Sequence, residues 1–287
     1  MRVDTYLMRL KGISRRVIVG LKKLPDGMLL NGSHIRTIDI IHTGDILEVN
    51  LPNNEKSMPV CDTYVPILYE DEDVIVYNKP KDMPVHQSIG HVYGTLSEVF
   101  AYHCMQSGEI TSFRAINRLD KDTTGAVVTA KNQIAAGILW KAVSKKYYCI
   151  VSGILPEKEG TINLPIDRES EDNIKRIVAD TGQNAITHYR VLSEGKNASL
   201  IECVLETGRT HQIRVHFSHI GYSLIGDEMY GEGSELIGRQ ALHCGYVEFL
   251  QPISKKELKI YAPFPQDFKI LLEKLEFTNL PDFFMCE

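Results

Sequence analysis

The chain has 287 residues, a formal net charge of −5, and 43% hydrophobic against 24% charged residues, the ordinary balance of a soluble globular protein with one large domain or a large and a small one. No apolar run approaches the length of a bilayer span, and the first residues carry no secretory apolar region, so a membrane protein and an exported one are not expected. The six scattered cysteines form no Cys-x-x-Cys and no metal-ligand spacing, which fits reduced thiols in a cytosol and argues against a zinc site.

In chain order, residues 1–50 read as a small separate module. Val3, Tyr6, Leu7 and Leu10 share one face at helical spacing, and Gly12 ends that helix. Ser14 is placed to N-cap a second helix whose apolar stripe is Val17, Ile18, Leu21 and Leu24, with Arg15, Arg16, Lys22 and Lys23 mostly off the stripe. Pro25-Asp26-Gly27 breaks the helix, Asn31-Gly32 signals a tight hairpin turn, and a last strand covers Ile46 to Val49. The module holds eight Lys/Arg against five Asp/Glu, so the remainder of the chain carries the acidic excess. By itself the basic face reads equally as a solvated helix surface.

Residues 51–64 form a linker that Pro52, Asn53, Asn54, Glu55, Lys56 and Pro59 keep out of any core. Residues 65–275 then alternate short apolar runs with turns: Val74–Tyr77, Val127–Ala130, Cys149–Val151, His188–Leu192, Leu200–Leu205 and Val247–Leu250. Helices are expected at about 95–105, 132–143, 212–220 and 266–275. Many strands with few, irregularly placed helices predict an α+β fold on a mixed, largely antiparallel sheet. Residues 276–287 make a loosely held tail.

One stretch is richer in charge than a turn requires. Arg118-Leu119-Asp120-Lys121-Asp122-Thr123-Thr124-Gly125 lies between Ala115-Ile116 and a buried strand at 126–130. With Asn117 it resembles the signature His-Arg-Leu-Asp-x-x-Thr-Ser-Gly of the RluA-like pseudouridine synthases. Further segments agree in the family's order. They are Asn78-Lys79-Pro80 through His86 with Gly94-Thr95-Leu96, then Lys145 to Gly153, then Gly208-Arg209-Thr210-His211-Gln212-Ile213-Arg214-Val215-His216 followed by Gly226-Asp227 and Tyr230-Gly231, then Arg239 to His243 and Ala262-Pro263. The resemblance spans roughly residues 65 to 273, and its specificity lies in the ordered set. The N-terminal module resembles the RNA-binding domain of the fourth small-subunit ribosomal protein, which many members of this family carry.

The resemblance implies an enzyme that turns uridine into pseudouridine in structured RNA. The base is cut from ribose at nitrogen and rejoined through carbon 5. No redox cofactor, nucleotide cofactor or metal is needed for that chemistry, and the sequence offers no phosphate loop or ligand cluster for one. An ionised nucleophile is needed, and Asp120 matches the family's aspartate, which attacks the ribose or removes a proton from it. Alone, Asp120 reads as a turn residue, and Asp122 as structural. Arg214 matches the arginine that holds the carboxylate charged, with its planar fork suited to two bonds. Tyr147 matches the active-site tyrosine that meets a flipped-out uracil, and a slip of one residue would give that place to Tyr148. Leu242 is placed at the pocket floor. Arg118 fills the space of the flipped nucleotide or holds a phosphate. Lys79 meets phosphate, and His211 and Gln212 contact substrate. His211 and His216 otherwise serve packing or hydrogen bonding, and His86 and His91 lie in a loop open to RNA. In the N-terminal module, Arg15, Arg16, Lys22 and Lys23 contact RNA.

Three positions depart from the family pattern: Asn117 for histidine, Thr124 for serine and Asp82 for glycine. The expected partner is RNA, with large-subunit ribosomal RNA favoured and transfer RNA second, acted on by a cytoplasmic monomer. A non-catalytic RNA-binding or ribosome-assembly protein, and a hydrolase that releases free uracil, are the rivals. Analysis of the product separates them.

Overall fold

The structure is a computed structural model that describes residues 1–51, 59–87, 93–109, 111–278 and 280–281. Most of the expected linker (52–58), His91 and the end of the expected tail (282–287) lie outside the described residues.

At the N-terminus α1 (Val3–Thr5) runs into a π-helical turn (Tyr6–Leu10), and α2 spans Arg15–Leu21. Ser14 Oγ accepts a bond from Val17 N at 3.4 Å, so the N-cap falls where the sequence puts it. Asn31 (φ 51°) and Gly32 (φ 80°) take the left-handed turn that joins β1 (Met28–Leu30) to β2 (Ser33–His34). The strand β3 (Leu47–Val49) pairs with the other edge of β1. Val3, Leu7, Val17, Ile18 and Leu21 are buried in a core of their own. Leu10 is not among them and is 57% exposed. The Lys11 N–H bonds the Tyr6 carbonyl five residues back, and that wider winding carries Leu10 off the apolar face.

The strands β4 (Ile67–Glu70), β5 (Val74–Lys79), β6 (Arg114–Ala115), β7 (Thr124–Ala130), β8 (Ser144–Ser152) and β9 (Glu159–Asn163) belong to one large sheet. A separate hairpin, β10 (Ile166–Arg168) and β11 (Arg176–Val178), follows. The large sheet is completed by β12 (Ile186–Gly195), β13 (Ala198–Leu205), β14 (Leu242–Leu250) and β15 (Glu257–Tyr261). Helices α3 (Leu96–Ser107), α4 (Gln133–Leu139), α5 (Gln212–His219) and α6 (Gln266–Lys274) interleave with them. The sheet runs β4-β5-β7-β14-β8-β13-β12-β9, with β15 on β14 and β6 on β7. Among its pairs only β7 with β14 is parallel. The α+β class and the mixed, largely antiparallel sheet are as expected. The helix expected over 132–143 ends earlier, at Leu139, where Lys141 (φ 66°) turns the chain.

Alternation along the strands sorts side chains to the two faces of the sheet. Tyr147, Cys149 and Val151 join the larger core with Phe100 of α3 and Phe217 of α5. Tyr148 and Ile150 join the opposite core with Phe264, Phe268 and Leu271 under α6. The N-terminal core reaches this body through Ile134 of α4, and a Cβ on Gly12 would lie 3.1 Å from the Ile138 side chain. Among the described residues no helix is long and apolar enough to cross a membrane.

The parallel pairing of β7 with β14 positions the charged stretch. Thr124 opposes His243 and Gly125 opposes Cys244. Gly125 lies inside the strand rather than in the turn: at φ +111° its ideal Cβ would fall 2.2 Å from the Cys244 carbonyl oxygen. Only glycine lets the strands approach that closely.

Candidate active site

The loop between β6 and β7 is held by side chains that copy strand hydrogen bonds. Asn117 is buried; its Nδ2 donates to the Ala126 carbonyl (3.0 Å) and its Oδ1 accepts from Val128 N (2.9 Å). A neutral amide supplies one donor and one acceptor at fixed spacing, which accounts for Asn117 at a position where the family has histidine. Leu119 is buried in the main core, so Arg118 and Asp120 on either side of it turn outward. Thr124 Oγ1 lies 2.8 Å from His243 Nδ1, and His243 Nε2 lies 3.1 Å from the Ala262 carbonyl. The carbonyl can only accept, so the imidazole proton sits on Nε2 and Thr124 donates to Nδ1. The hydroxyl that replaces serine therefore has a structural task. Asp82 takes φ 59° where glycine is usual, and its carboxylate meets Lys121 Nζ at 2.6 Å.

Lys79 is not at the surface and does not meet the cleft, contrary to the expectation of a phosphate contact. It is fully buried, and its Nζ donates to the carbonyls of Pro80, Met83 and Lys121, each at 2.8 Å. Burial pushes its pKa down to about 7; Asp122 and then Asp120 act in the opposite sense. The lysine ties the end of β5 to the Asp120 loop. Arg239 clamps the same loop from the other side. It meets Asp267 with two bonds (2.8 and 3.0 Å) and donates to the carbonyls of Asp122, Gln240 and Leu242. Asp122 accepts from Asp82 N at 3.2 Å, a structural bond.

An open cleft is lined by Arg118, Asp120, Tyr147, His211, Gln212, Arg214 and Leu242, among others. The structure thus gathers from β8, α5, β14 and the β6–β7 loop most of the residues singled out in sequence. Tyr147, not Tyr148, faces it: Tyr148 packs on Phe264 on the opposite face of the sheet (ring centroids 5.4 Å). Burial, then the neighbouring Cys244 and Asp120, hold the Tyr147 phenol well above its ordinary value, so it is protonated at neutral pH.

Arg214 differs from expectation in which carboxylate takes its fork. Nε and Nη2 donate to the two oxygens of Asp227 (2.7 and 2.8 Å), and only Nη1 reaches Asp120 Oδ2, at 3.2 Å. Asp227 has a fully buried side chain, and its Oδ1 also accepts from Met229 N and Tyr230 N. Burial alone would lower the Arg214 pKa; Asp227 and then Asp120 raise it above the ordinary arginine value. Asp227 is the residue that sequence reasoning missed. The signal was present in Gly226-Asp227: Gly226 (φ +76°) turns where a Cβ would lie 2.3 Å from the Arg239 carbonyl oxygen, and the acid follows directly.

Gln212 lines the cleft but has its amide occupied. Its Nε2 donates to the Ile186 carbonyl and Thr187 Oγ1, and its Oε1 accepts from Thr207 Oγ1 and Arg209 N. It anchors the start of α5 on β12 rather than offering a free group to substrate. His216 is likewise taken up, by Thr187 Oγ1 and the Leu164 carbonyl. His211 Nε2 faces Asp120 Oδ2 at 3.9 Å. The basic residues Arg15, Arg16, Lys22 and Lys23 are all exposed, away from this cleft's lining.

The cleft brings Asp120, Arg214, Tyr147 and Leu242 together, and comparison with known proteins places the chain in a family. The family described as "RNA pseudouridylate synthase" matches residues 73–219. The "Uncharacterized RNA pseudouridine synthase YhcT" of Bacillus subtilis is 40% identical over 240 residues, covering 81% of this chain and 80% of the relative. The "Ribosomal large subunit pseudouridine synthase D" of Zymomonas mobilis is 38% identical over 253 residues, covering 81% of this chain and 79% of the relative. Among solved structures, "Human RNA Pseudouridylate Synthase Domain Containing 4" superposes with a TM-score of 0.60 at 25% identity, covering 75% of this chain and 94% of that one. The chain belongs to the RNA pseudouridylate synthase family. Within it the sequence is RluA-like, and the protein is an RNA pseudouridine synthase.

Proposed function

We propose that this synthase isomerises uridines of large-subunit ribosomal RNA, with Asp120 as the group that acts on the ribose. The supporting observation is the asymmetry of the Asp120 carboxylate. Its Oδ2 takes the bond from Arg214, and among the described residues Oδ1 has no hydrogen-bond partner where it lines the open cleft. A carboxylate bonded to a guanidinium through one oxygen keeps the other for reaction. Reaching it requires the nucleotide to leave the RNA stack. Leu242 and the neutral Tyr147 ring form the wall and floor against the extruded base, and exposed Arg118 at the rim meets the RNA backbone. Because its phenol stays protonated, Tyr147 acts by stacking and hydrogen bonding. Relatives whose names specify the ribosomal large subunit support the choice of RNA.

The N-terminal residues 1–50, with their own core, form a module that contacts RNA through Arg15, Arg16, Lys22 and Lys23, while residues 65–275 carry the reaction. We infer that the enzyme works as a cytoplasmic monomer. The test uses large-subunit ribosomal RNA transcribed with 5-tritiated uridine. Forming the carbon–carbon bond at carbon 5 expels its hydrogen, so wild type releases tritium to water and leaves pseudouridine in the RNA. Asp120→Asn is expected to abolish release while still binding the transcript. Free uracil as product, or full activity in Asp120→Asn, overturns the reading. Mapping pseudouridines in cellular RNA after gene deletion then identifies the uridine.

A further inference from the structure

His211 and Tyr230 have no part in the reading above, yet they stand against its nucleophile. His211 holds a left-handed backbone (φ 57°, ψ 19°) just before α5, a conformation that costs a non-glycine residue of order 1 kcal/mol and persists where the surroundings enforce it. Its Nδ1 lies 2.8 Å from the Tyr230 hydroxyl, and the two rings meet edge to face with centroids 5.6 Å apart. The Tyr230 oxygen already accepts the Arg176 backbone N–H at 2.8 Å. Accepting there leaves its proton free to bond His211 Nδ1. Burial, with Arg214 adding to it against Asp120, pushes the His211 pKa down, so the ring is neutral. A neutral imidazole that accepts at Nδ1 carries its proton on Nε2. That N–H faces Asp120 Oδ2, the same oxygen that Arg214 Nη1 bonds.

The geometry points to His211 as a positioning residue, a hydrogen-bond donor of fixed tautomer, oriented by Tyr230, that pins Asp120 Oδ2 together with Arg214 and leaves Oδ1 as the reacting oxygen. This rests on Asp120 being the group that reacts. The 3.9 Å separation is longer than a bond, and catalytic hydrogen bonds shorten when substrate is seated. Tyr230 also presents its ring face to the Arg214 guanidinium, 5.0 Å from the ring centroid, so one side chain orients both donors. Its hydroxyl serves His211 and its ring serves Arg214, which makes the two roles separable.

The test uses the full-length enzyme, tritium release from the labelled large-subunit transcript, and nitrogen NMR of protein labelled at histidine. His211→Leu is expected to lower kcat roughly 100-fold, the lower range for removing one oriented donor at a reacting charge, with KM unchanged. Tyr230→Phe keeps the ring and removes the hydroxyl; it should lower kcat as well and change the His211 ring-nitrogen shifts from the pattern of a single Nε2–H tautomer. His211→Gln, whose amide N–H reaches the Nε2 position, should recover most of the loss. Melting temperatures confirm that each variant is folded, and Tyr230→Phe carries the test if His211→Leu is not. A wild-type signal of the Nδ1–H tautomer, or wild-type kcat in both His211→Leu and Tyr230→Phe, overturns the inference. Asp120→Asn run beside them separates the two failures. If it is active, the assignment of Asp120 falls; if it is inactive while the His211 and Tyr230 variants keep wild-type kcat, only the present inference falls.

Discussion

Arg214 serves two carboxylates, and the division of its donors decides what Asp120 can do. Asp227 takes the fork, so the guanidinium is fixed before any nucleotide arrives and Asp120 keeps one oxygen clear. Asp227→Asn removes that fixed partner. The freed fork is expected to turn onto both oxygens of Asp120 and occupy the one proposed to react. We expect kcat to fall about 100-fold, the scale of a small misplacement at a reacting centre. Breaking a buried pair should also cost roughly 3–5 kcal/mol of stability, read from denaturant unfolding. An Asp227→Asn enzyme with wild-type tritium release removes the argument. Sequence could name Arg214 and Asp120, but not which of two acids takes the fork: Asp120 is 94 residues away along the chain and Asp227 only 13. Lys79 failed to follow its sequence reading for a related reason. A motif lysine looks alike whether its ammonium faces phosphate or three backbone carbonyls.

At the scale of elements, the strands were legible because apolar runs such as 126–130 and 149–151 have the length and β-branched content of buried strands. Sequence favoured Tyr147 over Tyr148 only through its place in the Lys145–Gly153 motif, and the opposite faces of β8 separate the two in the structure. The parallel contact of β7 with β14 was not legible, since Thr124 and His243 lie 119 residues apart and no local pattern encodes their pairing. That contact carries a pH dependence. Burial pushes His243 down to about 4 from an ordinary value near 6.5, with the bond to the Ala262 carbonyl opposing it. Between those values the unfolded chain binds a proton that the folded chain refuses. Stability from this group is complete above pH 6.5 and declines as pH falls toward 4, by up to about 1.4 kcal/mol per pH unit. Unfolding free energies measured from pH 7 to 4 should show a shallower slope in His243→Gln than in wild type. Parallel slopes would mean that this histidine titrates alike in the folded and unfolded chain.

Over the whole molecule, the acidic total conceals a division of labour. The net charge of −5 would repel a polyanion if it were spread evenly. In the N-terminal module, however, Arg2 and Arg36 are neutralised by Asp4 and Asp39, whereas exposed Arg15, Arg16, Lys22 and Lys23 have no ion-pair partner among the described residues. Each phosphate that an unpaired cation neutralises releases a counterion condensed on the RNA, and that release makes RNA affinity depend on salt. The module also packs on α4 through Ile134, so these charges are held against the catalytic body rather than strung on a free arm. Replacing all four with glutamine leaves that apolar contact in place and removes only the charge. If each neutralises one phosphate, the slope of log affinity against log salt should become shallower by about three. The variant should bind the ribosomal transcript more weakly than wild type at low salt, and the two curves should converge as salt rises. Superimposed curves across the series would mean that RNA is held by residues 65–275 alone, with Arg118 at the cleft rim carrying the backbone contact.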